Sequence, residues 1–281
     1  MGRWIAVDVQ ADAARIRMME QQRVIDDHLV PLDVKSSSMQ NVVDVALPLL
    51  GSYIGANGTM PLICAGADDA PQVPVPCAPP AASDAQDPRL KAYILPGLVQ
   101  SRPKDAVGHE IAQISGCMAA RPEWDGVLCL PGARSVWVHI SAGEIVSFRS
   151  FLSPELIKVI AARSSLAPML SSDKWDDTAF GQALGDAMSR PENLAAALAS
   201  LQVQDAPPEV AHAQVAALLI GMELAAARPY WLGQDVSIVG TGVLAAQYHA
   251  ALTGQGVPAA ILDGDEMMLR GFIRAYEELY P

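Results

Sequence analysis

The chain has 281 residues, 51% of them apolar, and sets 31 Asp and Glu against 19 Lys and Arg for a formal net charge of −12. That length and apolar share exclude a disordered chain and leave room for one large domain or two ordinary ones. The acidity argues against a general duplex-DNA binder or a protein resting on anionic lipid, because both need Lys and Arg to displace counterions. No nucleic acid and no membrane are therefore expected as partners, and an anionic substrate would need a local basic site. Cys64, Cys77, Cys117 and Cys129 form no CxxC pair, which favours reduced thiols. The start runs straight into the apolar pattern Ile5-Ala6-Val7-Asp8-Val9 without the longer apolar core of a signal peptide, and Ala6 does not suit myristoylation of Gly2. The longest apolar helical stretch, residues 215–227, is broken by Glu223 and is shorter than the ~20 residues of a membrane span. A cytoplasmic protein is the expectation.

In chain order, residues 4–9, 13–19 and 23–30 read as short strands bounded by polar turns, and residues 39–50 carry apolar side chains at helical spacing. The segment 71–88 holds Pro71, Pro74, Pro76, Pro79, Pro80 and Pro88 and reads as an ordered loop or crossing more than a strand or helix. Residues 91–95 fit a strand and residues 107–120 a helix with Ile111, Ile114 and Met118 on one side. The opening order then returns: strands at 127–130, 134–140 and 144–151, followed by a helix opening at Ser153-Pro154. The offset of about 120 residues suggests a structural duplication. Ala- and Leu-rich helices follow at 178–188, 191–201 and 208–227. The chain closes on a βαβα unit: strand 236–239, the turn Gly240-Thr241-Gly242, helix 243–252, strand 259–262 and helix 265–279. In such a unit a ligand meets the C-terminal end of a strand and the N-terminus of the next helix.

Several residues carry candidate chemistry. Asp8 ends the first strand, where its carboxylate suits a metal-bound phosphate or a surface turn equally. The following Val9-Gln10-Ala11-Asp12 lacks the Gly and hydroxyl residues of a phosphate loop. Gly240, Thr241 and Gly242 offer small residues at a helix start, suited either to an adenosine or phosphate group or to a tight turn alone. Gly132 and Arg134 follow another apolar strand, and the planar Arg134 head suits an anion or a solvated hairpin. His109-Glu110 is no zinc motif, because Gln113 stands where HExxH needs its second His. Glu110 at a helix opening suits either a substrate hydroxyl or the helix dipole.

The run of landmarks resembles the 2-dehydro-3-deoxygalactonokinase family of sugar-acid kinases, within the actin-like ATPase superfamily. The likeness is carried by Tyr93-Ile94-Leu95-Pro96-Gly97-Leu98, Gly108-His109-Glu110-Ile111-Ala112-Gln113, Leu130-Pro131-Gly132 with Trp137-Val138, and Phe148-Arg149-Ser150 with Glu155-Leu156. Towards the end it is carried by Leu219-Ile220-Gly221-Met222-Glu223-Leu224, Ile238-Val239-Gly240-Thr241-Gly242 and Tyr248-His249-Ala250-Ala251-Leu252. The resemblance implies an α/β fold: two lobes of duplicated ribonuclease-H-like topology, mixed sheets flanked by helices, set here at residues 1–125 and 126–281. It also implies ATP and Mg²⁺ in a cleft and phosphoryl transfer to the 6-hydroxyl of 2-dehydro-3-deoxy-D-galactonate. Carried over by position, Asp8 is the Asp of the first phosphate loop and metal site, Glu110 the second Glu of a Gly-Glu-Glu, and Gly240 with Thr241 the adenosine-side turn.

The departures fall on polar positions. The family's Asp-Trp-Gly-Ser/Thr-Thr/Asn becomes Asp8-Val9-Gln10-Ala11-Asp12, and its Pro-Gly-Thr-His-x-Lys becomes Pro131-Gly132-Ala133-Arg134-Ser135-Val136. Its Thr-Gly-Glu becomes Ser153-Pro154-Glu155, and a Gly-Ser-x-x-Gly-Trp segment is replaced by Ala67-Asp68-Asp69-Ala70-Pro71-Gln72. Two functions follow as expectations. One is an ATP-dependent carbohydrate kinase with an altered site, in which Asp8, Glu110 and Arg134 act on metal, sugar and phosphate, and Gly132, Gly240, Thr241 and Gly242 bind nucleotide. The other is a catalytically inactive kinase-fold ligand-binding or regulatory protein. The expected partners are a small-molecule sugar acid and, as a homodimer, a second copy of the chain.

Overall fold

A computed structural model describes residues 2–32, 37–50, 60–85, 87, 90–172 and 174–281. Contacts divide the chain into two compact units, one of residues 1–124, 140–147 and 264–281, the other of residues 125–139 and 148–263. The chain thus leaves the first unit at residue 125 and returns to it twice, so that the closing helix packs in the first unit.

The first unit opens on strands β1 (Arg3–Val9), β2 (Ala13–Glu20) and β3 (Arg23–Pro31), then helix α1 (Met39–Leu50) and strand β4 (Pro61–Ala65). Strands β5 (Gln72–Pro74), β6 (Ser83–Asp84), β7 (Lys91–Ile94), β8 (Gly97–Ser101) and β9 (Lys104–Val107) lead into helix α2 (Glu110–Ala120). Strand β1 is buried along its length after Arg3, as a central strand flanked on both faces must be. Edge strand β3 instead carries Arg23, Asp26, Asp27 and His28, charges that discourage pairing with another chain. The sheet order is β3-β2-β1-β4-β7-β6, with β1, β4 and β7 parallel. The proline-rich segment differs from the expected loop: Gln72–Pro74 pairs with β8 in a small sheet ordered β5-β8-β9. An edge strand accepts proline because its outward N–H has no ladder partner. Pro88 lies outside the described residues. The stretch expected to begin a helix at 107 is strand β9 up to Val107, and the helix starts at Glu110.

Strands β10 (Gly126–Pro131), β11 (Ser135–Ser141) and β12 (Glu144–Phe151) begin the second repeat. Helices α3 (Ser153–Arg163), α4 (Asp177–Ser189), α5 (Leu194–Leu201), α6 (Pro208–Ala226) and the short α7 (Arg228–Trp231) follow. The chain ends on β13 (Val236–Val239), α8 (Gly242–Gly254), β14 (Ala260–Leu262) and α9 (Gly264–Leu279). The second sheet is ordered β12-β11-β10-β13-β14. It repeats the order β3-β2-β1-β4-β7 of the first, again with its last three strands parallel, so the duplication suggested by the meanders is present in the fold.

Helix α6 is the core of the second unit. Ala213, Ala216, Ala217, Ile220 and Leu224 are fully buried among Phe180, Leu184, Trp137 and Tyr248. Its 19 residues from Pro208 are long and apolar enough by composition to cross a membrane, longer than the apolar stretch 215–227 within it. Burial of its faces in the protein core accounts for the apolar composition. A Cβ on Gly221 would stand 2.8 Å from the Ala187 Cβ and 3.0 Å from the Leu184 carbonyl, so only glycine lets α4 approach this closely.

In the first unit a similar contact seats α9. A Cβ on Gly116 would fall 1.8 Å from the Met267 carbonyl oxygen, and one on Gly271 would fall 1.9 Å from that of Ala112. Helices α2 and α9 therefore cross backbone to backbone. Asp265, in the first turn of α9, pairs with Arg15 at 2.8 Å and with the buried Arg17 at 3.1 Å. Asp27 of β3 binds the same two guanidinium groups. Burial alone would raise the Asp27 carboxyl, but its bonds and charge interactions with Arg15 and Arg17 outweigh that and hold it below its usual value.

Candidate active site

In the first unit the C-terminal ends of β1 and β4 meet the start of α2. Asp8 stands beside Ala65 in the parallel register and is only 3% exposed. Gln10 Nε2 donates to its Oδ2 at 2.8 Å, while Oδ1 is buried without a hydrogen-bond partner. A buried carboxylate oxygen left open is costly unless water or a cation completes it. Gly66 follows β4 with φ +89, and a Cβ there would meet the Val9 carbonyl at 2.4 Å and the His109 Cβ at 2.7 Å. This one residue draws the turn after Asp8 and the start of α2 together. Glu110 sits in that first helical turn, largely buried. Its Oε2 accepts from the Gly108 N–H at 3.1 Å, and His109 Nε2 lies 3.8 Å from its Oε1. Glu110 thus closes the helix start, in the turn that Gly66 packs against through His109.

Among the described residues no group of three His, Cys, Asp or Glu side chains could cage a metal. The open Asp8 Oδ1 is the kind of single carboxylate donor that suits Mg²⁺, which takes one or two carboxylates together with substrate phosphates and water. Asp8 is the residue that would hold it.

The second unit repeats this corner. Gly240 follows β13 as Gly66 follows β4, and a Cβ on it would contact the Pro131 carbonyl oxygen at 3.6 Å. The Gly240 N–H donates to the Leu262 carbonyl at 3.0 Å, and the Gly132 N–H to the Arg134 carbonyl at 2.9 Å. Both amides are therefore committed within the protein. Thr241 precedes α8 in extended conformation without a side-chain cap, and Gly242 has φ +76. The first turn of this 13-residue helix therefore keeps its N–H groups and dipole without a hydroxyl cap. Arg134, half-buried, ends the Pro131–Arg134 turn directly before β11. The structure thus groups Asp8 with Glu110 in one unit, and Gly132 and Arg134 with Gly240, Thr241 and Gly242 in the other.

A third group was not singled out by the sequence. Glu223 has no solvent exposure and accepts from Ser135 Oγ at 2.7 Å, Trp137 Nε1 at 2.9 Å and Tyr248 OH at 2.9 Å. Burial pushes its carboxyl up, against the opposing hydrogen bonds of Trp137, Ser135 and Tyr248. Its only signal in the sequence is a lone carboxylate inside an apolar run. Asp68 and Asp69, where the family carries a Gly-Ser-x-x-Gly-Trp segment, serve the structure: Asp69 Oδ1 accepts from the Met39 N–H at 2.8 Å, and Asp68 bonds Ser37.

The family model for 2-keto-3-deoxy-galactonokinase matches residues 12–275. The chain belongs to that family. This galactonokinase-family chain is 30% identical over 200 residues to the probable 2-dehydro-3-deoxygalactonokinase DgoK1 of Rhizobium meliloti (strain 1021), a match covering 67% of the chain and 65% of the relative. It is 26% identical over 185 residues to the 2-dehydro-3-deoxygalactonokinase of Escherichia coli (strain K12), covering 64% of the chain and 63% of the relative. The match thus spans somewhat less than two thirds of either curated relative. A crystal structure of a candidate 2-dehydro-3-deoxygalactonokinase from Sinorhizobium meliloti superposes with a TM-score of 0.87 at 25% identity, covering 99% of both chains. An acetate kinase from Entamoeba histolytica shares the fold at a TM-score of 0.51 and 8% identity, over 99% of this chain and 100% of the other. The fold is the duplicated α/β arrangement of actin-like ATPases and sugar kinases.

Proposed function

We propose that this family member is a cytoplasmic ATP-dependent kinase of 2-dehydro-3-deoxy-D-galactonate whose phosphate contacts are altered. The observation that carries the reading is Asp8, a buried carboxylate at the end of β1 with Oδ1 unpartnered. Mg²⁺ bound there would neutralise charge on the transferring phosphoryl group. Gln10 orients the carboxylate through its Oδ2. Glu110 receives a sugar hydroxyl, and its proton once the oxygen bonds phosphorus; the β,γ-bridging bond breaks and ADP leaves. Arg134 supplies positive charge to phosphate oxygens in place of the family's Lys, and Thr241 and Gly242 present the α8 terminus to the nucleotide. The substrate is taken from the names of the matched relatives.

A second reading, a catalytically inactive kinase-fold protein that binds ligand, is favoured by one observation: the Gly132 and Gly240 amides are already bonded internally. Calorimetric titration with ATP and Mg²⁺, with and without the sugar acid, separates the two. The kinase reading expects ATP binding by the wild type and roughly tenfold weaker Mg²⁺-dependent binding by Asp8→Asn. No binding at millimolar nucleotide would contradict it, and binding without ADP release would favour the second reading.

A further inference from the structure

Glu223 takes no part in the chemistry above, yet it is tied to both turns of the second unit. Ser135, which donates to its Oε1, is the first residue of β11 and directly follows Arg134. Trp137, two residues on, shares that oxygen. Tyr248, which donates to Oε2, lies within α8, whose start is the Thr241-Gly242 turn. The carboxylate therefore divides its two oxygens between the strand that carries the Arg134 turn and the helix that carries the nucleotide-side turn.

Packing alone does not ask for a carboxylate here. A buried anion loses several kcal/mol of hydration, and an apolar residue of similar volume often fills such a place at no loss of stability. What a fully satisfied polar network adds over an apolar contact is direction, because each donor must meet its acceptor at a fixed angle and distance.

We propose that Glu223 is a positioning residue for nucleotide binding, fixing the Arg134 turn through Ser135 and the start of α8 through Tyr248. The inference rests on the nucleotide reading above. Remote carboxylates that orient binding groups commonly change affinity without touching ligand.

The test uses the full chain, with ADP–Mg²⁺ as calorimetric probe and melting followed in parallel. Tyr248→Phe and Ser135→Ala each remove one donor and keep the volume, and each is expected to weaken ADP about fivefold, the factor of one net hydrogen bond. In steady state the KM for ATP should rise while the KM for the sugar acid holds. Glu223→Gln, whose amide keeps an acceptor for Trp137 and Ser135 and donates to Tyr248, should stay closer to wild type than either. Folded variants that bind ADP as tightly as the wild type would overturn the positioning role and leave the kinase reading standing. Absence of ADP binding by the wild type itself would overturn both.

Discussion

Gly66 shows how a single residue assembles the first corner. Its positive φ and its 2.4 Å approach to the Val9 carbonyl leave a side chain neither the conformation nor the space. Gly66→Ala should therefore cost about 3 kcal/mol, read from denaturant unfolding, and should weaken Mg²⁺-dependent nucleotide binding because the Asp8 turn and the α2 start would move apart. A neutral substitution would show that the corner is not set by this contact. Glu223 allows a second prediction. Burial raises its carboxyl above the ordinary 4.5, so the folded state holds this proton more tightly than the unfolded chain. The associated stability is fully present below 4.5 and is lost as pH rises through the raised value. The melting temperature of the wild type relative to Glu223→Gln should fall as pH rises from 4.5, and a rising difference would contradict the assignment.

Among elements, the crossing of α2 and α9 places the start of α2, where Glu110 stands. Because Gly116 and Gly271 face carbonyl oxygens below 2 Å from any added Cβ, Gly271→Ala should force the helices apart at a cost of about 3 kcal/mol or more. Thermal melting should show the loss, and an unchanged melting point would refute the crossing. Asp69 supplies the outer cap of α1, so Asp69→Ala should cost about 1 kcal/mol without changing kcat if its role is structural. A collapse of turnover at unchanged stability would place Asp69 in the sugar site instead. The elements themselves were legible where periodicity was strong: both meanders, α4, α6 and the closing βαβα unit follow from alternation and helical spacing. Gln72–Pro74 was not legible, since its strand character comes from pairing with β8 rather than from its own residues. Helix α6 is longer than the apolar stretch 215–227 because its first two turns, from Pro208, carry Glu209, His212 and Gln214.

At the scale of the molecule, duplication organises the candidate sites. Each sheet delivers a strand end beside a glycine that abuts a neighbouring carbonyl: Gly66 against Val9 and Gly240 against Pro131. The sequence marked Asp8, Gly240 and Glu110 through motif position. It did not mark Glu223 with Ser135 and Tyr248, because three donors 25 to 88 residues from one carboxylate become neighbours only in the folded unit. On the proposed reading, the turns after Asp8 and Pro131 would bind phosphate without the hydroxyl and Lys contacts expected from the family resemblance. Because each lost donor is worth on the order of 10²–10³ in rate, slow turnover is expected rather than the speed of an intact site. The most direct measurement is transfer itself: wild-type protein with ATP, Mg²⁺ and 2-dehydro-3-deoxy-D-galactonate, following ADP release and the mass of the sugar-acid product. ADP should be released in step with a phosphorylated sugar acid, and Asp8→Asn should abolish its release. ADP formation absent with the sugar acid, or equal in its absence, would contradict the kinase reading.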